Sequence, residues 1–456
     1  MDTLTPGQRR VVLLLAVALV VVLALLAGFV VTAIRNLEIA TPTPPPTLTP
    51  LPPTPLPPTP SPAPAATPAT GIQFQVQAAR LFDQVARQVE SLRGLAPRAV
   101  VPLSFLDERE MAALVRSLYV ESDPQTRFLP YAALGILPSA EISVCTGRVT
   151  SLYVPEQGQL YISSIQQDSP DDQALLAHAY THALQDQHFN LGTVTVRTTT
   201  TDAALAVEAL SEGDATLLAA LYRYQDAAAA DWEHLAELLV GAEQPGCAEA
   251  LDASAARARL QYFPYQEGRR FVEALYQAGG WEMVNRAYAD LPRSTEQVLH
   301  PERYLEERDE PETVLVPNLG AVLGSGWTLR RRDTLGEFAA GLYLAGTLPE
   351  TTAWSAADGW DGDTLVVWER QDESRVLVWR TLWESTVEAA EFERALTALV
   401  PQRYLPVRPI APPPDLSGRW WETGAGTMAV LRVGRIVVLA RAPDTDVLVN
   451  VVRALP

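Results

Sequence analysis

Between Thr41 and Thr70 the chain reads TPTPPPTLTPLPPTPLPPTPSPAPAATPAT, a stretch through which neither helix nor sheet can propagate. Each proline fixes its own φ and removes a backbone donor. At this density the predicted state is disordered polyproline II, a semi-rigid spacer rising about 3.1 Å per residue. Any packed fold must therefore be built behind it, and from Gly71 onward the composition is globular.

The residues in front of this stalk predict a membrane anchor. Met1 to Arg10 is a polar head ending in Arg9-Arg10, and Val11 to Ile34 (VVLLLAVALVVVLALLAGFVVTAI) carries no charge. At about 1.5 Å per residue, a helix of that length spans a hydrocarbon core of about 30 Å. A cleaved signal has a shorter apolar region, about 7–15 residues, followed by a small-residue cleavage site. This run is longer and no convincing site follows. The reading is one transmembrane helix, with the arginine pair holding the amino terminus in the cytoplasm and the rest outside the cell membrane. The expected layout is a cytoplasmic head (1–10), the span (11–34), a Pro-rich linker (35–70), a first globular domain (71–316) and a carboxyl α+β region (317–456).

Charge removes whole classes of function. The net charge of -19 argues against a nucleic-acid partner, because phosphate neutralisation needs clustered basic residues. All 35 basic residues are arginine. Without lysine there is no P-loop, no kinase lysine, no Schiff base and no Ser-Lys hydrolase. The two cysteines, Cys145 and Cys247, are too few for a disulfide framework. One bridge between them and two buried small apolar side chains are equally consistent readings.

Periodicity places the chemistry-bearing residues on helices. Helical spacing runs from Phe74 to Leu95 and from Asp107 to Tyr119; Ile142 to Thr150 and Gln159 to Ser163 read as strands. A further helix opens with Ser169 as N-cap, Pro170 at its first position and Asp171-Asp172 at its positive end. It carries AHAYTHALQDQHF, residues 177–189, in which His178 and His182 stand one turn apart and can share a metal ion. Ala203 to Tyr224 is a second long helix. Zinc in a catalytic site commonly takes two imidazoles, one carboxylate and an open fourth position. Glu212 or Glu208 on that second helix can supply the carboxylate, while Asp186 and Asp214 are placed to orient a histidine. Beyond Pro317, alternating strand and helix patterns read as α+β.

The stretch AHAYTHALQDQHF resembles the HExxH helix of a prokaryotic group of uncharacterised surface proteins, which themselves resemble gluzincin zinc peptidases. The usual form in that group is close to HExTHALQDQHFDL. The likeness extends to Glu212-Gly213-Asp214-Ala215, Tyr262-Phe263-Pro264-Tyr265, Gly279-Gly280-Trp281, the block from Ser294 to Pro301, Thr334 to Phe338 and Ala356 to Asp363. It implies a mainly helical zinc-peptidase core followed by an α+β lobe, with His178, His182 and Glu212 as zinc ligands. It also brings His300 near a reacting carbonyl oxygen, although a helix-terminal or packing role fits that residue equally.

Two departures from the group bear on activity. Ala179 stands where HExxH has its glutamate, the carboxylate that takes a proton from the attacking water and passes it to the leaving amine. Ser151-Leu152-Tyr153-Val154-Pro155 lacks the acidic residue of a G-F-Y-D-P-like segment. The apolar span and the resemblance together therefore predict a membrane-anchored, extracytoplasmic protein, a pseudopeptidase by what the resemblance implies. Two other readings stay open: a non-catalytic module binding peptides or cell-envelope components, and a zinc hydrolase that uses Glu208 as its base.

Overall fold

In the computed structural model of the chain, the described residues are 68–121, 124–137, 149–163, 169–192, 198–243, 255–306 and 308–455. Residues 67–456 form one compact unit. The first helix among the described residues, α1 (Pro68–Arg93), begins inside the stretch read as stalk, with proline at the position where a missing N–H costs nothing. The amino half of the unit continues through β1 (Leu103–Leu106), α2 (Glu108–Glu121), α3 (Pro124–Leu134), β2 (Ser151–Val154) and β3 (Gln159–Ser163). These three strands form a small sheet in the order β1-β3-β2, with β1 parallel and β2 antiparallel to β3.

Three long helices carry the site. The helix α4 (Pro170–Phe189) starts where its residues predict: the Ser169 side chain accepts from the Asp172 N–H and Pro170 follows it. The helix α5 (Thr201–Tyr224) is capped by the Thr200 side chain, which accepts from the Ala203 N–H. After α6 (Trp232–Glu243) comes α7 (Ala255–Ala289), which bends at Gly279-Gly280, where Gly280 takes a φ of 63°. Two short helices follow, α8 (Thr295–Leu299) and α9 (Glu302–Leu305).

The carboxyl part is built on a seven-stranded antiparallel sheet. Its strands are β4 (Trp327–Asp333), β5 (Trp360–Arg370), β6 (Arg375–Trp383), β7 (Val407–Ile410), β8 (Arg419–Thr423), β9 (Gly426–Val433) and β10 (Ile436–Ala442), in the order β4-β5-β6-β10-β9-β8-β7. Helices α10 (Gly320–Leu323), α11 (Gly336–Ala345), α12 (Glu350–Ala357), α13 (Thr386–Arg403) and α14 (Thr445–Arg453) complete it.

Side-chain alternation divides this sheet between two cores. Leu365, Val367, Leu377, Trp379, Val430 and Leu439 join the large apolar cluster that also holds Leu205, Ala209 and Phe271 of the helical part. Their neighbours Val366, Trp368, Val376, Val378, Leu431 and Ala440 face a second cluster closed by Leu448 and Val451 of α14. Covering both faces makes strands read as unbroken apolar runs, as Leu365 to Trp368 does. The first cluster crosses residue 317, so helical part and sheet share one core.

The fold expectation is corrected in its membrane element. Among the described residues no helix is long and apolar enough to cross a membrane. The longest, α7, carries Arg257, Arg259, Glu267, Arg269, Arg270 and Glu273 along its length. The anchor expected at 11–34 lies outside the described residues, and single-pass placement in the cell membrane finds no support and is set aside. Most of the strand expected at 142–150 also lies outside the described residues, as do Cys145 and Cys247.

Candidate metal centre

His178 and His182 project from the same face of α4 with their ring centroids 4.7 Å apart and their planes at 82°. Glu212 reaches them from α5. Its Oε2 lies 3.2 Å from His178 Nε2 and 3.4 Å from His182 Nε2, and the two Nε2 atoms are 3.1 Å apart. In a tetrahedral site with bonds of about 2.0–2.1 Å, neighbouring donors stand about 3.3–3.4 Å apart. The three donor atoms therefore approximate one face of such a tetrahedron, and the group could hold a metal ion. The His178 side chain is wholly buried, whereas His182 and Glu212 keep 13% and 17% of theirs exposed, so the centre opens on their side.

Close approach of two helices sets Glu212 in place. A Cβ on Gly213 would sit 2.2 Å from the backbone of Gly268 in α7, and one on Gly268 would sit 2.2 Å from the Ala209 carbonyl oxygen. Only hydrogen fits between the two backbones there. Glu212 and Asp214 flank this crossing point and turn toward α4.

Behind the donors lies a buried polar chain. Gln185, one turn beyond His182, places its Oε1 2.9 Å from His182 Nδ1. The Gln185 amide donates to the Ser211 carbonyl oxygen and to Asp214 Oδ2, both at 3.0 Å. Asp214 also accepts from Arg93 Nε at 2.8 Å and from the Tyr288 hydroxyl at 2.9 Å. Arg93 and Asp214 are wholly buried, and the Arg93 guanidinium stacks 4.4 Å from the Trp281 ring centroid. Asp214 thus bears on a histidine through Gln185, which the sequence reading did not single out. Its spacing from His182 is the signal that could have found it. Tyr265, from one of the blocks shared with the resembled group, has its ring centroid 6.2 Å from that of His178.

Electrostatics favour a charged Glu212. Burial alone would raise its carboxyl group, but the charge of His182 and hydrogen bonds from both imidazoles outweigh burial and hold it well below the ordinary carboxylate range. Glu208 behaves differently. Burial raises it; the ion pair with Arg127 opposes this and the nearby Glu212 charge adds to it. It stands apart from the donor triangle, engaged by Arg127.

The remaining expected residues, and the two other histidines, fall as follows. Asp186 accepts from the Tyr153 hydroxyl at 2.8 Å and the Leu191 N–H at 3.0 Å, tying the end of α4 to β2. That is an anchoring role in place of the histidine-orienting one expected. Ala179 is buried in an apolar cluster with Tyr153, Leu160 and Tyr180. His188 Nε2 bonds the Ala96 carbonyl oxygen and His234 contacts Asp171. His300 lies in a separate group, with Nε2 3.0 Å from Glu337 Oε1.

Fold and site define a mixed helix-and-sheet protein in which two helices present a His–His–Glu group able to hold a metal ion. A family model for a domain of unknown function (DUF8575) matches residues 327–452, from the first residue of β4 into α14. The match takes in the seven-stranded sheet and leaves the metal centre outside it. No curated protein and no solved structure matches the chain.

Proposed function

We propose that the chain is a zinc-binding protein of the gluzincin metallopeptidase type whose hydrolytic capacity is severely reduced, and whose cleft takes peptides. The donor triangle of His178, His182 and Glu212 carries this reading: two imidazoles and one carboxylate is the set that zinc takes in catalytic sites, and the observed separations fit it. Zinc held there supplies Lewis acidity at its open position.

The surrounding residues divide the work. Gln185 fixes the His182 ring, and Asp214 with Arg93 fixes Gln185. Glu212 enters as a carboxylate. Proton transfer is what the site lacks: the Ala179 methyl can neither take nor return a proton, a loss worth about 10²–10⁴ in rate. Glu208, paired with Arg127, is a poor replacement while that pair holds.

The test compares the parent with Ala179→Glu on a broad peptide library, with zinc content measured on both as the control for folding. Turnover at least about 100-fold higher in the variant is the expected result. Cleavage by the parent that disappears in Glu208→Gln would instead establish a hydrolase with an unorthodox base. Silence from both zinc-loaded proteins would favour a peptide-binding module.

A further inference from the structure

A second set of donors lies away from the first centre, on α9's approach and the helices that pack on the sheet. His300, at the end of α8, Glu337 of α11 and Asp358, at the end of α12, bring one atom each within 4.8 Å of one another. All three line a cavity of about 910 Å³, walled also by Tyr262, Phe263 and Trp354. A third acidic group of this kind, Glu296, Asp309 and Glu384, already has its cation, because the Arg303 guanidinium bonds all three. Among the described residues the His300 group has no such occupant. Arg303 comes only within 3.9 Å of Asp358, while engaged elsewhere.

One atom of this group is buried without a partner among the described residues. The Glu337 side chain is only 5% exposed. Its Oε1 meets His300, but its Oε2 is buried and accepts no hydrogen bond from any described residue. A buried carboxylate oxygen without a partner is costly, and a cation held by the other oxygen of the same carboxyl group, Oε1, offsets part of that cost. The spacing also suits one. With bonds of about 2.1 Å, adjacent octahedral donors lie about 3.0 Å apart and opposite ones about 4.2 Å. His300 Nε2 is 3.0 Å from Glu337 Oε1 and 3.9 Å from Asp358 Oδ1.

We propose that His300, Glu337 and Asp358 form a second divalent-cation site on the wall of this cavity, distinct from the His178–His182–Glu212 centre. One imidazole with two carboxylates suits a harder ion than zinc, and the class we assign is Mn2+. Three protein donors leave coordination positions facing the cavity. This inference does not depend on zinc occupying the first centre.

The experiment loads the full chain with a single equivalent of zinc, frees it of excess, titrates it with Mn2+ and reads the loss of the free-ion signal by electron paramagnetic resonance. One equivalent of Mn2+ taken up is expected, weakened at least tenfold in both His300→Ala and Asp358→Asn with zinc content unchanged. Asp358 is largely exposed, so its variant keeps the test valid even where replacing His300 perturbs folding. No uptake, or uptake unaltered in both variants, overturns the second site. A loss of zinc confined to His178→Ala reports on the first centre alone.

Discussion

Gln185 Oε1 stands 2.9 Å from His182 Nδ1, and this contact decides which nitrogen of His182 faces Glu212. The Gln185 amide nitrogen is committed to two pure acceptors, the Ser211 carbonyl oxygen and Asp214 Oδ2. Its carbonyl oxygen is therefore the atom that meets the ring, so Nδ1 carries a proton both in the charged ring that faces Glu212 and in the neutral ring, whose Nε2 then offers its lone pair to a metal. Gln185→Leu removes that constraint. Loss of such a supporting contact commonly weakens metal affinity about 10–100-fold, which competition with a chromogenic chelator would read. Unaltered affinity would mean that the ring is held by something else.

The buried pair of Arg93 and Asp214 supports the same chain from behind. Arg93→Met leaves the Asp214 carboxylate uncompensated, and breaking a buried pair from one side typically costs about 3–5 kcal/mol. Denaturant unfolding should show a loss of that size. A loss below about 1 kcal/mol would be that of a surface pair and would contradict the burial described.

Gly213→Ala should be more damaging than its size suggests. The added methyl meets the Gly268 backbone at 2.2 Å, and backbone cannot turn aside as a side chain can, so about 1–3 kcal/mol of overpacking is expected. Gly241→Ala in α6 is the control, because a Cβ there meets nothing within 4 Å. Urea midpoints should fall for the first and hold or rise for the second. Equal effects would place the helix crossing elsewhere.

At the junction of helices and sheet, burial pushes the Asp202 carboxyl up to about 8, against hydrogen bonds from Thr295 that favour its charge. Unfolded, it titrates near about 3.9. Between those values the folded state holds more protons than the unfolded one, so this contribution to stability is complete below the lower value. It is lost as pH rises toward the upper one. Unfolding midpoints taken at about pH 5 and about pH 8.5 should therefore fall in the parent and fall less in Asp202→Asn. Parallel changes in both proteins would exclude Asp202 as the source.

What the sequence made legible was local. Ser169, Pro170 and the spacing of His178 and His182 act within about four turns of one helix, so cap and donor pair are visible in a single stretch. Glu212 could be picked over Glu208 only through the resemblance, because both lie on one face of α5. The polar chain behind the histidines was not legible, since Arg93 and Asp214 are 121 residues apart and nothing near Arg93 marks it. The sheet was read in part. Strands β5 and β6 announce themselves as apolar runs, but β4 contains Arg330-Arg331-Arg332, a largely exposed charged run without an apolar strand pattern. It is an edge strand, where exposed charges discourage further pairing. The short β7 was hidden by Pro409, which an edge position tolerates. The anchor expectation used composition at 11–34 alone, and no described helix supports it.

Metal analysis of the purified chain bears most directly on the central claim. Parent protein equilibrated with zinc and freed of excess should retain one tightly held equivalent, and the His178→Ala, His182→Ala double variant and Glu212→Gln should each retain far less. Equal zinc in all three proteins would contradict the assignment of these donors to a metal centre.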